Sequence, residues 1–320
     1  MKKLLIIHTG GTISMERDSD GNVVETKEHP LHQTIEADGA SLYVDELNIF
    51  QIPSPHITFD HMILLKDTIL ENSDKYDGFV ITHGTDTMEE TAYFIDCTVS
   101  ISKAIVFTGA MRSSNEIGAD GPYNLRSALH VAAHEQAQNQ GVLVVMNDQI
   151  HHARYVTKRS ASSVDAFESV NVGPIGTVLQ QNVTFLGHVT KQSTLPVSKI
   201  SKKVLLFKAY VGMTEELFAG IHHSTVDGIV IEALGQGNLP PAVVPAIEKM
   251  VKGGLPVIIT TRCPEGFVIP TYNYTGGGVD LKGKGVIFAT QLNGPKARIQ
   301  LLLQLENNAT KLELEQAFQS

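Results

Sequence analysis

Three short stretches carry side chains able to move protons or attack a carbonyl group. In TGGT at 9–12, the hydroxyl of Thr12 follows two glycines, which let backbone amides approach a ligand closely. In HGTDT at 83–87, Thr85 offers a second hydroxyl and Asp86 a carboxylate, both just ahead of a helical pattern whose amino end favours anions. Asp86 is also suited to the ammonium group of an amino-acid ligand. A hydroxyl is a poor nucleophile until a base takes its proton. Lys158, after Val156 and Thr157, is the candidate activator, because a lysine buried beside a hydroxyl loses proton affinity and can serve as base. Together these residues make a site with two candidate nucleophiles. Each also has a plainer use: Thr12 as a helix cap, Asp86 and Thr87 as the start of a helix, Lys158 as a solvated lysine beside Arg159.

Other patterns carry less. His130 and His134 are four apart on a predicted helix, but no Glu stands between them in the required place and no third ligand is near, so no metal site is expected. Gly235-Gln236-Gly237-Asn238 is not a dinucleotide fingerprint, because Pro240 takes the place of the third glycine. No cofactor is expected.

The elements that must position these groups are legible as alternating strands and helices. KLLIIH at 3–8 and GFVIT at 78–82 are aliphatic runs that stop at glycine-containing turns, as buried parallel strands do when they deliver residues to the carboxyl edge of a sheet. Further strands are predicted at 46–53, 104–108 and 142–147. Helices are predicted at 58–72, capped by Thr58, from 88 with a Thr87/Glu90 capping box, and from about 121 to 140. Residues 13–29 are polar and predict a long mobile loop. Residues 155–174 predict irregular loop and short strands.

Residues 191–203 are polar, contain Pro196 and lack periodicity, which predicts a linker. Strands at 204–209, 227–232, 255–260 and 286–289 then alternate with helices at 214–222, 241–252 and 295–306. The fold expected is α/β: a larger N-terminal domain (1–190) with a doubly wound, mostly parallel sheet, and a smaller C-terminal α/β domain (204–320).

Bulk properties narrow the function. The chain has 320 residues, enough for a real core, and a formal net charge of -9, which argues against a phosphate-binding surface and hence against nucleic acid. Only Cys97 and Cys263 are present, one in each half, so a reducing compartment is expected. The apolar run after Met1 is too short for an export signal, and none approaches the roughly 18 residues of a membrane span. A cytoplasmic protein without membrane contact is expected.

TGGT at 9–12, HGTDT at 83–87, TGAMR at 108–112, VTK at 156–158, GQGN at 235–238 and LNGPKAR at 292–298 together resemble the bacterial-type L-asparaginase family, in family order and across nearly the whole chain. The resemblance implies hydrolysis of L-asparagine to L-aspartate and ammonia, with possible minor action on glutamine. Carried over, Thr12 is the nucleophile that forms an acyl-enzyme, and Thr85, Asp86 and Lys158 form the second catalytic cluster. Ser54 and Asp86 hold the substrate's α-groups, while Gly11, Thr85 and Ala110 line the pocket. The usual assembly is a homotetramer, a dimer of dimers in which the neighbouring subunit completes each site, and this places Asn238 at a site edge. Three departures stand against the family pattern. Residues 13–29 hold no tyrosine, a partner-subunit glutamate has no clear match in the region of Tyr272 to Gly278, and Pro55 replaces a glutamine. Three rivals stand beside this reading: a glutaminase-asparaginase with similar rates on both amides, an amide-releasing subunit of a tRNA-dependent amidotransferase, and a sensor that binds aspartate or asparagine without turnover.

Overall fold

The computed structural model describes residues 1–20, 22–25, 42–189 and 193–319. The chain folds as two compact units, Met1–Thr194 and Leu195–Ser320.

The first unit is built on an eight-stranded sheet. Its parallel part comprises β1 (Lys2–His8), β4 (Leu42–Asn48), β5 (Gly78–Thr82), β6 (Ala104–Thr108) and β7 (Val142–Met146). In space they run β4-β1-β5-β6-β7. Beyond β7 the sheet turns antiparallel through β8 (Gln149–His152), β11 (Gly176–Leu179) and β12 (Asn182–Phe185). The central strands are buried on both faces, which explains their unbroken aliphatic composition.

Helix α1 is Phe59–Asn72, α2 is Met88–Thr98 and α3 is Gly121–Ala133. Leu4, Ile6, Val80, Val106, Leu143 and Val145, from alternate positions of four strands, form one core with Leu125, Ala128 and Leu129 of α3. Fully burying one such side chain contributes about 1.5–3 kcal/mol, so this core fixes the register that brings the strand ends level.

The second unit carries a four-stranded parallel sheet: β13 (Val204–Lys208), β14 (Gly228–Ala233), β15 (Val257–Thr261) and β16 (Ile287–Phe288). Helices α4 (Val244–Lys252), α5 (Gly278–Gly283), α6 (Gly294–Glu306) and α7 (Lys311–Gln319) accompany it. The expectation of a larger N-terminal domain with a mostly parallel sheet and a smaller C-terminal α/β domain is met.

Several local expectations are corrected. The strand expected at 46–53 lies at Leu42–Asn48, a sheet edge whose residues are mostly half-buried or exposed, so it lacks the apolar run of its neighbours. The loop expected at 13–29 begins instead as a 3-10 turn, Thr12–Ser14, and a two-stranded ribbon of β2 (Met15–Arg17) and β3 (Val23–Glu25). Positions 26–29 of that expectation, and 191–192 of the expected linker, lie outside the described residues.

The helix expected to reach 140 ends at Ala133, because His134 is extended (ψ 136°). The helix expected at 214–222 is only the 3-10 turn Glu215–Phe218, in which Phe218 alone is buried. No helix among the described residues is long and apolar enough to cross a membrane.

Candidate active site

The site forms where β1 and β5 run out side by side. His8 and Thr82 are register partners, and Thr9 donates both its amide (3.1 Å) and its hydroxyl (2.8 Å) to the Thr82 carbonyl. Beyond them the two loops pack backbone to backbone. Gly11 has φ +88°, and a Cβ there would lie 2.3 Å from Gly84 Cα. A Cβ on Gly84 would lie 2.7 Å from both Cβ and Oγ of Ser54. Glycine at 11 and 84 thus lets three loops meet at van der Waals distance and sets Thr12, the next residue after Gly11, and Thr85, the next after Gly84, on abutting turns. Thr12 is half-buried as the first residue of its 3-10 turn, and its hydroxyl is bonded to no other described residue.

The HGTDT loop is fastened from two sides. Ser54 is buried, its Oγ accepts the Asp86 amide at 3.2 Å, and its carbonyl accepts the Thr87 hydroxyl at 2.9 Å. The expected capping box is therefore absent: the Thr87 side chain does not cap α2 but ties the loop to residue 54. With its oxygen already accepting, the Ser54 hydroxyl keeps a proton donated to no described residue. The signal for this fastening lay in the prolines flanking Ser54, which fix its backbone as a 3-10 turn, Ser54–His56.

Lys158 comes from the segment that follows β8 in the chain. Strand β9 (Thr157–Lys158) pairs antiparallel with β10 (Phe167–Glu168). The ribbon is held by Arg159, which is half-exposed and paired with Glu168 at 2.9 Å and Asp165 at 3.6 Å. Lys158 turns the other way: its side chain is only 13% exposed, and Nζ donates to Thr85 Oγ1 at 2.8 Å and meets Asp86 Oδ1 at 2.6 Å. A buried hydroxyl, an amine and a carboxylate thus form one chain of polar contacts. The second carboxylate oxygen of Asp86, a side chain 60% exposed, stays available.

His83, at the base of the same loop, is fully buried and donates from Nδ1 to the Gly84 carbonyl at 2.7 Å. Burial pushes its imidazole down to about 4, against the opposing effect of that bond, so the ring is neutral at physiological pH. Its Nε2 has no partner among the described residues.

Ala110 is buried at the end of β6, and the loop carrying it is set by Asp120, whose carboxylate accepts the amides of Met111 (3.0 Å) and Arg112 (2.9 Å). Asn238 belongs to the second unit. There its Oδ1 accepts the Gly278 amide at 3.2 Å, and its backbone pairs with Leu234. His134 accepts the Gln136 amide through Nδ1, and among the described residues no group of three His, Cys, Asp or Glu side chains could hold a metal ion.

Comparison with known proteins gives the family. The family described as "Asparaginase, N-terminal" matches residues 3–191, and "Glutaminase/Asparaginase C-terminal domain" matches 203–318. The chain belongs to the asparaginase family. Similar proteins include a "Probable L-asparaginase" of Deinococcus radiodurans, 38% identical over 99% of this chain and 97% of that one. An "L-asparaginase" of Bacillus licheniformis is 34% identical over 95% of both chains. A "Glutaminase-asparaginase" of Pseudomonas aeruginosa is 30% identical over 99% of this chain and 90% of its own.

Proposed function

We propose that this protein hydrolyses L-asparagine to L-aspartate and ammonia through a threonine ester. The observation that carries the reading is the 2.8 Å contact of Lys158 Nζ with Thr85 Oγ1 on the loop that abuts Gly11. Family membership supports the substrate class.

In this mechanism the Thr12 oxygen attacks the side-chain amide carbon, the C–N bond breaks, and the hydroxyl proton leaves with the amine as ammonia. Water then cleaves the Thr12 ester and releases aspartate. Thr85 is the relay: its hydroxyl gives a proton to the Lys158 amine as it takes one from Thr12 or from the attacking water. Ser54 donates its remaining proton to the substrate's α-carboxylate, and the outer oxygen of Asp86 receives the α-ammonium. Gly11 and Ala110 shape the pocket around them. Neither cofactor nor metal enters these steps. Asn238 stands at the edge of a site completed by a neighbouring subunit in a homotetramer. A cytoplasmic location fits Cys97 and Cys263, which stand as thiols rather than as a disulfide.

Some glutaminase activity accompanies the main one, because one methylene discriminates by only about 10–200-fold. The deciding experiment measures ammonia release from asparagine, glutamine and D-asparagine by the untagged protein, with mass spectrometry of the quenched enzyme to detect an aspartyl adduct on Thr12. Aspartate binding without ammonia release would replace this reading with the sensor.

A further inference from the structure

The loop joining β6 to α3 does more than carry Ala110. Its end is anchored at Asp120, and Asn124 adds bonds from Nδ2 to the Gly109 carbonyl (3.0 Å) and to Asp120 Oδ2 (3.1 Å). Arg112 Nη1 closes the loop on itself at the Gly118 carbonyl, 2.9 Å away. From this rigid base three consecutive side chains reach the segment that follows Thr12. Ser114 donates both its amide and its hydroxyl to the Met15 carbonyl, each at 3.1 Å. Asn115 accepts the Arg17 amide on Oδ1 at 2.8 Å and donates Nδ2 to the Arg17 carbonyl at 2.9 Å, reproducing with a side chain the two bonds of a neighbouring strand. Glu116 pairs with Arg17 Nε at 3.2 Å.

Thr12 therefore sits in a short span held at both ends. Upstream, Gly11 is wedged against Gly84; downstream, Met15 and Arg17 are gripped by residues 114–116. Inside the span, Ile13 packs beside Gly121, with its Cγ1 3.0 Å from where a Cβ there would stand. We propose that Asn115, aided by Ser114 and Glu116, is a positioning residue that fixes Thr12 by clamping the strand three to five residues after it. This rests on the reading of Thr12 as nucleophile. The Asn115–Arg17 bonds are solvent-exposed, so their loss disturbs the placement of Thr12 without loosening the fold. A displacement of about 1 Å at a reacting group costs on the order of 10²-fold in rate.

The test is Asn115→Ala, with Asn115→Asp as the conservative variant that keeps the acceptor for the Arg17 amide but loses the donor, and Ile117→Ser as a control on the same loop. Asn115→Ala is expected to lower kcat about 10²-fold with KM and Tm little changed, and to speed amide hydrogen exchange over residues 15–17 about tenfold, as loss of two hydrogen bonds implies. Asn115→Asp falls between, and Ile117→Ser matches the wild type. Faster exchange with kcat unchanged, or unchanged exchange, overturns the proposal, as does a fall in kcat that tracks a fall in Tm. If the wild type releases no ammonia, the hydrolase reading fails by itself, and the exchange measurement alone decides whether the clamp exists.

Discussion

The two units both end parallel strands at a carboxyl edge, yet among the described residues the hydroxyls at the two edges find different kinds of partner. In the second unit, β14 runs into a turn that closes on itself through paired bonds between Leu234 and Asn238, each 2.9 Å. The hydroxyl of Thr261, the last residue of β15, donates to the Gly235 carbonyl at 2.7 Å and accepts the Cys263 amide at 3.0 Å. The hydroxyls of Thr260 and Thr261 there are both spent on backbone carbonyls. At the first unit's edge polar groups meet side chains from remote segments, Thr85 with Lys158 and Asp86 with both Ser54 and Lys158, and the hydroxyl protons of Thr12 and Ser54 go to no described residue. The two edges thus differ in where their hydroxyls find partners. The antiparallel segments beyond β7, which supply Lys158, have no counterpart in the second sheet.

The sharpest break of that contrast is removal of the first edge's hydroxyls. Thr12→Ala and Thr85→Ala are each expected to lower kcat for asparagine by about 10³-fold or more with aspartate binding largely kept, measured by steady-state kinetics and calorimetry. Lys158→Met is expected to cost about 10²–10⁴-fold in kcat with a smaller change in KM; equal losses in both would make Lys158 a binding group.

The glycines come next. Gly11→Ala must force a Cβ against Gly84 in a backbone region that only glycine adopts readily, and is expected to cost about 2–5 kcal/mol by denaturant unfolding. Gly212→Ala in the second unit shares the positive φ, +78°, but meets nothing within 4 Å, so about 1–2 kcal/mol is expected.

Acid should separate the units as well. The His83 imidazole is lowered from 6.5 to about 4 by burial, so between those values the unfolded chain binds the extra proton. Stability is full above pH 6.5 and falls as pH drops towards 4, by about 3 kcal/mol. In the second unit, Asp280 is held below its ordinary 3.8, first by its bond from Lys284 and then by the Gly276 amide, so its contribution is lost only below that pH. Hydrogen exchange against pH should show the first unit opening first, and His83→Asn should flatten its slope between pH 4 and 6.5. The smallest effect expected is from Thr261→Ala, about 1 kcal/mol in stability with kcat unchanged.

Much of this was legible in the residues. Strands β1, β5, β6 and β7 announce themselves because burial on two faces demands unbroken aliphatic runs, and Thr12, Thr85 and Lys158 stand out as hydroxyls and an amine at strand ends. Edge strand β4 carries no such run because it is partly exposed, so its residue types do not mark its bounds. The short 3-10 turn at Glu215–Phe218 could not be told from a helix, since its period rests on so few buried residues. Thr87 matches a capping pattern in sequence, but a cap and a tie to a distant carbonyl use the same hydroxyl, and only the fold decides between them. The grip of Ser114 and Asn115 on Met15 and Arg17 spans 99 and 98 positions and leaves no local trace.

Lys158 reaches Thr85 across 73 positions of chain. On a ribosome adding about 5–20 residues per second, the HGTDT loop emerges several seconds before the amine that completes it. On the proposed mechanism, the proton relay stays incomplete until about half of the 320 residues have been added.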